Sequence, residues 1–149
     1  MPKDRVQIPR QKMPTRSPEE RRRSFEEVAL GFDMELALAE ASRCLQCKKP
    51  SCIGGCPVQV RIPEFILALR EGNMWGAVEA LKDKNSLPAI CGRVCPQETQ
   101  CEIECVLGRK GEPVAIGRLE RFVADWERAQ GMRIPELPRP TGKRIAIVG

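Results

Sequence analysis

The chain has 149 residues, and its 25 Lys and Arg against 20 Asp and Glu give a formal net charge of +5 at pH 7. Tyrosine is absent and only four Phe and two Trp occur, so the basic segments lack the aromatic residues on which nucleic acids stack and we expect no nucleic-acid partner. No apolar stretch approaches the roughly 20 residues of a membrane helix, and the N-terminus lacks the apolar core of a signal peptide. We therefore expect no membrane association and a cytoplasmic location.

The N-terminal residues 1–16 are basic and rich in proline, and we interpret them as an irregular arm. Next come Ser17, Pro18 and, three residues after the serine, Glu20, a pattern typical of a capped helix start. This pattern predicts a helix over 17–30 that ends at Gly31. Asp33 then caps a second predicted helix over 34–43, which leads the chain directly into the first cysteine.

The first cysteine block reads Cys44-x2-Cys47-x4-Cys52-x3-Cys56-Pro57. Two helices are predicted after it, over 62–71 and 74–84, with a Gly-Asn pair between them. Apolar residues recur along one face of each helix, which indicates packing in a core. On the first helix they are Phe65, Ile66 and Leu69, and on the second Trp75, Val78 and Leu81.

The second cysteine block reads Cys91-x3-Cys95-Pro96-x5-Cys101-x3-Cys105. Its second half predicts a short cysteine-bearing helix over 99–107 that ends at a glycine, and a long helix follows from 113 or 114 to 130. The apolar content is mostly Ala, Leu, Ile and Val, which suits short helices around a cofactor. The expected fold is therefore an all-α domain over residues 17–131.

The C-terminal part changes character. Residues 132–143 are rich in proline and predict a linker. Residues 144–149 read Arg-Ile-Ala-Ile-Val-Gly, which is typical of the first buried strand of a dinucleotide-binding domain, with Gly149 as the first glycine of its phosphate-binding turn. The alternative is a flexible apolar terminus. We favour a truncated FAD- or NAD(P)-binding domain, because strand-forming residues are unusual in disordered tails.

The spacing of the cysteines favours iron–sulfur chemistry over its rivals. Each block contains x3-Cys-Pro, the element that closes ferredoxin-type cluster motifs. Zinc sites prefer C-x2-C pairs, and only Cys44 and Cys47 have that spacing. Disulfides require secretion, and a nucleophilic cysteine lacks a base because the chain has no histidine. The motifs therefore predict two [4Fe–4S] clusters, and a zinc-binding or protein-docking domain without redox activity is the alternative.

With these motifs the chain resembles the N-terminal iron–sulfur domain of the glutamate synthase small (beta) subunit family. That family includes the flavin subunit of NADH-dependent ferredoxin:NADP oxidoreductase and the N-terminal part of dihydropyrimidine dehydrogenase. The resemblance implies an α-helical ferredoxin domain with two [4Fe–4S] clusters, followed by FAD- and NAD(P)H-binding domains. It further implies electron relay between flavin and a partner, either a glutamate synthase large subunit or a ferredoxin- or flavin-containing subunit. The parent protein would be an NAD(P)H-dependent oxidoreductase, and this fragment alone would not be catalytic.

The resemblance also implies a crossed set of cluster ligands. One cluster would be held by Cys44, Cys47, Cys52 and Cys105. The other would be held by Cys56, Cys95, Cys101 and a residue other than cysteine. In dihydropyrimidine dehydrogenase that ligand is glutamine, and the matching position here is Glu120, which leaves Cys91 as a spare thiol. From composition alone, Glu120 would instead be a surface charge between Arg118 and Arg121.

Overall fold

The computed structural model describes residues 8–131, 133, 136 and 139–148, and its regular structure is helical. The α-helices are α1 (Pro18–Arg21), α2 (Met34–Ser42), α3 (Ser51–Gly55), α4 (Ile62–Arg70), α5 (Met74–Lys82), α6 (Pro88–Val94) and α7 (Ile116–Gln130). Two 3₁₀ helices, Gln97–Thr99 and Val106–Arg109, lie between α6 and α7. Thr15 and Ala29 form an isolated antiparallel bridge, and no strand occurs in the described ranges. The all-α prediction is confirmed.

The core forms where α4 packs on α5 and where α7 contacts α2, α4, α5 and α6. The predicted apolar stripe of α4 is buried throughout: Phe65, Ile66 and Leu69. On α5, Val78 and Leu81 are buried, while Trp75 is partly exposed and packs edge-on against Trp126 at 5.1 Å between ring centroids. Each fully buried apolar side chain of this kind contributes about 1.5–3 kcal/mol. None of these helices, within the described ranges, combines the length and apolarity of a membrane span.

Four of the predicted helices form within three residues of their expected bounds, because their ends carry local signals. Asp33 accepts a hydrogen bond from the backbone N–H of Leu36 at 2.8 Å and so caps α2. Asn73 caps α5 in the same way, through the N–H of Gly76 at 3.0 Å. At the other end of the chain, α7 stops at Gly131, whose φ of 85° is readily adopted by glycine.

The predicted helix over 17–30 is wrong beyond its first turn, since α1 ends at Arg21. The capping box between Ser17 and Glu20 forms as expected. The chain then turns back, and the N–H of Leu30 donates to the carbonyl oxygen of Pro14 at 2.8 Å. Because α1 buries no residue, tertiary packing adds nothing to the weak stability of a short helix.

The predicted helix over 99–107 is also wrong. Residues 100–104 form turns between the two 3₁₀ helices, with short-range hydrogen bonds such as Cys105 N–H to the carbonyl of Glu102 at 3.0 Å. Conversely, α3 and α6 were not predicted, because Gly54, Gly55 and Gly92 lower the helix propensity of these short segments. Within the two cysteine blocks, local propensity therefore does not predict the helices that form.

The C-terminal residues 139–148 are exposed and form neither helix nor strand. A strand needs a partner, and none of the described residues pairs with 144–148. Gly149 lies outside the described residues. The linker over 132–143 and the strand over 144–149 therefore stay predictions.

Candidate metal centre

Four cysteines from two distant parts of the chain line one small cavity. Cys44 and Cys47 follow α2, Cys52 lies on α3, and Cys105 immediately precedes the second 3₁₀ helix. Much of the remaining wall is apolar, with Ile62, Pro63, Ile66, Val114 and Ile116. The fold therefore brings together the four thiols that the resemblance groups around one cluster.

The loop between Cys44 and Cys47 is held in an unusual backbone conformation. Gln46 has a φ of 53°, in the left-handed region that residues other than glycine rarely adopt. Its side-chain Nε2 donates to the carbonyl of Pro63 at 3.0 Å and contacts the Sγ of Cys44 at 3.4 Å. The backbone N–H of Val114 also donates to the Sγ of Cys105 at 3.5 Å. Donors thus already face two of the four sulfurs, as the outer shell of a metal site requires.

The thiols of this first group influence one another electrostatically. Burial, together with the smaller effect of the negative charges of Cys44, Cys105 and Cys47, raises the pKa of Cys52 to about 12. Burial also raises the pKa of Cys44. Because metals bind thiolates, assembly of a metal site here must displace protons from these sulfurs.

A second group of ligand-type side chains surrounds Cys101. Burial, together with the smaller effect of the charges of Glu102, Cys56 and Glu120, raises the pKa of Cys101 to about 12. Burial likewise raises the pKa of Cys95 to about 11, with further contributions from Cys91, Glu120 and Cys56. Such mutual effects between charges fall off with distance. Cys56 and Glu120 are thus both near enough to Cys95 and Cys101 to raise the pKa of each thiol.

The approach of α6 to α7 brings the second cysteine block next to Glu120. The two helices pack tightly at Gly92, where an added Cβ would lie 2.6 Å from the backbone nitrogen of Arg121. Backbone atoms cannot yield as a flexible side chain does, so a residue with a Cβ would push the helices apart. Glycine at position 92 thus sets the spacing between Cys91 on α6 and Glu120 on α7.

Glu120 is buried, with 8% of its surface exposed, so the interpretation of this residue as a surface charge is wrong. Burial raises the pKa of its carboxyl to about 7, and a hydrogen bond from Asn85 opposes that shift. The Nδ2 of Asn85 donates to Glu120 Oε1 at 2.7 Å. Arg118 and Arg121 are directed elsewhere, to the carbonyls of Gln11 and Ala29. A nearby cation would favour the ionised carboxylate, which could then act as an oxygen ligand.

Cys91 also belongs to this second group. It lies near enough to Cys95 to raise the pKa of that thiol, and its Sγ lies 3.6 Å from the Oδ1 of Asn85. The second group therefore contains one more donor than a site with four ligands needs.

Both groups have the donor chemistry that a [4Fe–4S] cluster requires. All eight cysteines are free of disulfide bonds, and thiolates are the preferred ligands of iron–sulfur clusters. By distance, no three Cys, Asp or Glu side chains of the described ranges converge as ligands of a single metal ion do. A cubane separates its ligands more widely than one ion, because it places several irons and sulfides between them. The two donor sets fit such a group.

Comparison with known proteins identifies the family. A family model described as dihydropyrimidine dehydrogenase domain II, 4Fe–4S cluster, matches residues 21–132. The chain belongs to this family. It is 40% identical over 125 residues to the NAD-dependent dihydropyrimidine dehydrogenase subunit PreT of Escherichia coli (strain K12). The aligned region covers 84% of this chain and 30% of that protein.

Other relatives in the family are glutamate synthase (NADPH) small chains. Identity is 38% over 141 residues with the protein of Halomonas elongata, covering 93% of this chain and 29% of the relative. It is 39% over 131 residues with the protein of Escherichia coli (strain K12), covering 87% and 28%. The chain thus spans less than a third of the length of these curated relatives. The family resemblance drawn from the cysteine motifs is confirmed, and with it the assignment of the chain as an iron–sulfur domain.

Sequence reasoning missed the contribution of Asn85 to the second cysteine group of this chain. The Oδ1 of Asn85 accepts from the N–H of Leu87 at 2.9 Å, so the residue forms a local turn just before α6. An asparagine shortly before a proline helix start is a signal for that turn. The hydrogen bond from Asn85 to Glu120 joins residues that are 35 positions apart in the chain, and no local sequence pattern predicts it.

Proposed function

We propose that this domain relays single electrons through two [4Fe–4S] clusters, between a flavin and a partner protein or second active site. The observation that carries the proposal is that each group of cysteines combines residues from both cysteine blocks. Cys105 of the second block lines the same cavity as Cys44, Cys47 and Cys52 of the first. Cys56 of the first block follows Gly55, where an added Cβ would lie 3.1 Å from the Cα of Cys101, and its charge raises the pKa of Cys101. Two separate donor sets support two clusters.

The proposed ligands follow these groups. One cluster is assigned to Cys44, Cys47, Cys52 and Cys105, and the other to Cys56, Cys95, Cys101 and Glu120. When bound, each cluster supplies a centre that accepts and donates one electron. The residues of the chain bind the iron, exclude water with apolar side chains such as Ile66, and donate N–H groups toward sulfur, as Val114 does at Cys105.

For the parent protein we propose an NAD(P)H-dependent oxidoreductase that also binds FAD. The relatives are named as an NAD-dependent dehydrogenase subunit and as NADPH glutamate synthase small chains, which supports both the pyridine nucleotide and a partner subunit. We assign the start of the FAD domain to residues 144–149, with Gly149 in its phosphate-binding turn. A glutamate synthase large subunit, or a ferredoxin- or flavin-containing subunit, is the proposed partner, and the cytoplasm the proposed compartment.

Purification of the chain under anaerobic conditions tests the clusters directly. We expect a brown protein with about eight iron atoms per chain and broad absorption near about 400 nm that bleaches on reduction with dithionite. Elemental analysis and visible spectra provide the measurement. A colourless protein containing zinc and no iron would contradict the proposal and favour a structural metal site.

Serine substitutions test the assignment of the second ligand set. Cys101→Ser removes a buried thiol ligand and is expected to lower the iron content from about eight to about four atoms per chain. Cys91→Ser is the matched control, because Cys91 lies in the same group but is not an assigned ligand, and should retain both clusters. Loss of iron in Cys91→Ser together with full iron in Glu120→Ala would overturn this ligand set.

A further inference from the structure

Asn85 links the two candidates for the last ligand position of the second cluster. It follows α5, is 6% exposed, and is fixed by its own backbone N–H, which donates to the carbonyl of Leu81 at 3.0 Å. Its side-chain Oδ1 accepts from the N–H of Leu87 at 2.9 Å. Because Leu87 N–H can only donate, this bond determines the orientation of the amide group and directs its Nδ2 toward Glu120.

The amide of Asn85 therefore contacts Glu120 and Cys91 with different atoms. Its Nδ2 holds Oε1 of Glu120 at 2.7 Å, so the other carboxylate oxygen takes no part in that bond. Its Oδ1 lies 3.6 Å from the Sγ of Cys91, at hydrogen-bond distance for a sulfur donor. Each candidate ligand is thus held by a separate group on one rigid side chain.

A cubane needs one ligand for each of its four irons, and the second group offers one donor too many. We propose that Asn85 is a positioning residue that selects Glu120 over Cys91 as the fourth ligand of the second cluster. Its amide N–H orients the carboxylate, and its carbonyl oxygen keeps the Cys91 thiol engaged away from iron. This inference rests on the proposed two-cluster function and on its ligand assignment.

Asn85→Ala in the iron-loaded chain tests the selection. Without the amide, Glu120 loses its orienting donor and Cys91 is released, so a thiolate can replace the carboxylate. We expect the electron paramagnetic resonance signal and midpoint potential of the second cluster to change, while those of the first cluster stay constant. Adding Cys91→Ser to Asn85→Ala should remove the new signal, because the competing thiol is then gone.

Two further variants separate positioning from folding. Asn85→Asp keeps the acceptor for Leu87 N–H but cannot donate to Glu120 as the amide does, so it should fold and still alter the second cluster's signal. Asn73→Ala is the control: it removes an asparagine that caps α5 through Gly76 N–H, and should lower the melting temperature without changing either signal.

The outcomes distinguish this inference from the function on which it rests. A wild-type chain without about eight iron atoms refutes the two-cluster proposal before any variant is compared. If the wild type contains both clusters, unchanged signals and potentials in Asn85→Ala and Asn85→Asp overturn the positioning role. A new signal that persists in the double variant with Cys91→Ser overturns the competition between the two ligands.

Discussion

Replacing Gly55 with alanine is expected to remove iron from both proposed cluster sites. A Cβ at this position would lie 2.6 Å from the carbonyl oxygen of Gln100 and 3.1 Å from the Cα of Cys101. Both are backbone atoms, so the two segments must separate to make room. Overpacking of this kind typically destabilises by about 1–3 kcal/mol.

The position of Gly55 explains why both cluster sites should lose iron. It ends α3, between Cys52 and Cys56, and it meets the turn that carries Cys101 and leads to Cys105. The same two segments are joined by a hydrogen bond from the Ser51 hydroxyl to the carbonyl of Glu104 at 3.0 Å. Separating them moves Cys52 from Cys105 and Cys56 from Cys101 in one step.

Gly54→Ala is the matched control for this prediction. Nothing lies within 4 Å of a Cβ at Gly54, and alanine is favoured over glycine within a helix by up to about 1 kcal/mol. The Gly54 variant should therefore keep its iron and its stability, while the Gly55 variant loses at least half of about eight iron atoms. Equal iron contents in the two purified proteins would contradict the role given to Gly55.

The cysteine spacing was enough to predict a cluster-binding domain, because cluster motifs place ligands at fixed short intervals. The helices with capped or glycine-ended termini, such as α2 after Asp33, were also predictable, since their signals lie within one turn. The helix over 17–30 was not, because nothing local reveals that its residues have no apolar partner to pack against. In that region a good capping box produced only one turn.

The contacts that join the two cysteine blocks could not be predicted from local patterns. Gly55 resembles Gly54 in the sequence, yet only Gly55 meets the backbone of the other block. Similarly, Glu40 follows the helical spacing of α2, but nothing near it in sequence indicates that its side chain is fully buried. The roles of Gly55 and Glu40 depend on contacts with residues that lie far away in the sequence. Polar and glycine positions at the site therefore need the three-dimensional fold before they can be interpreted.

Glu40→Ala is expected to cause the largest loss of stability, about 3–5 kcal/mol, because it breaks a buried ion pair and leaves one charge behind. The Oε1 of Glu40 accepts from Arg43 at 2.6 Å and from the N–H of Ala115 at 2.8 Å, and its Oε2 accepts from the N–H of Gln11 at 2.7 Å. Removing the carboxylate leaves the Arg43 guanidinium, itself 5% exposed, without its counter-ion. The midpoint of anaerobic urea unfolding, followed by circular dichroism, measures the loss.

The buried carboxylate of Glu40 also supports the cluster sites, because it accepts a hydrogen bond at the start of α7 that an N-cap side chain would otherwise accept. The N-cap residue Ala115 has no side chain that can accept a hydrogen bond, so Glu40 and Glu102 serve the N–H groups of Ala115 and Gly117 instead. Val114, immediately before this cap, donates to the sulfur of Cys105, and α7 carries Glu120. Visible absorption of the Glu40 variant should therefore disappear at a lower urea concentration than in the wild type.

Glu26→Ala provides the comparison for an exposed ion pair. Glu26 pairs with Arg16, but its side chain is 66% exposed, and pairs of this kind contribute about 0–1 kcal/mol. Glu40→Gln should fall between the two, since the amide keeps one acceptor oxygen but loses the charge that Arg43 requires. If Glu40→Ala unfolds at the same urea concentration as Glu26→Ala, the buried network does not anchor α7, and the N–H of Val114 reaches Cys105 by packing alone.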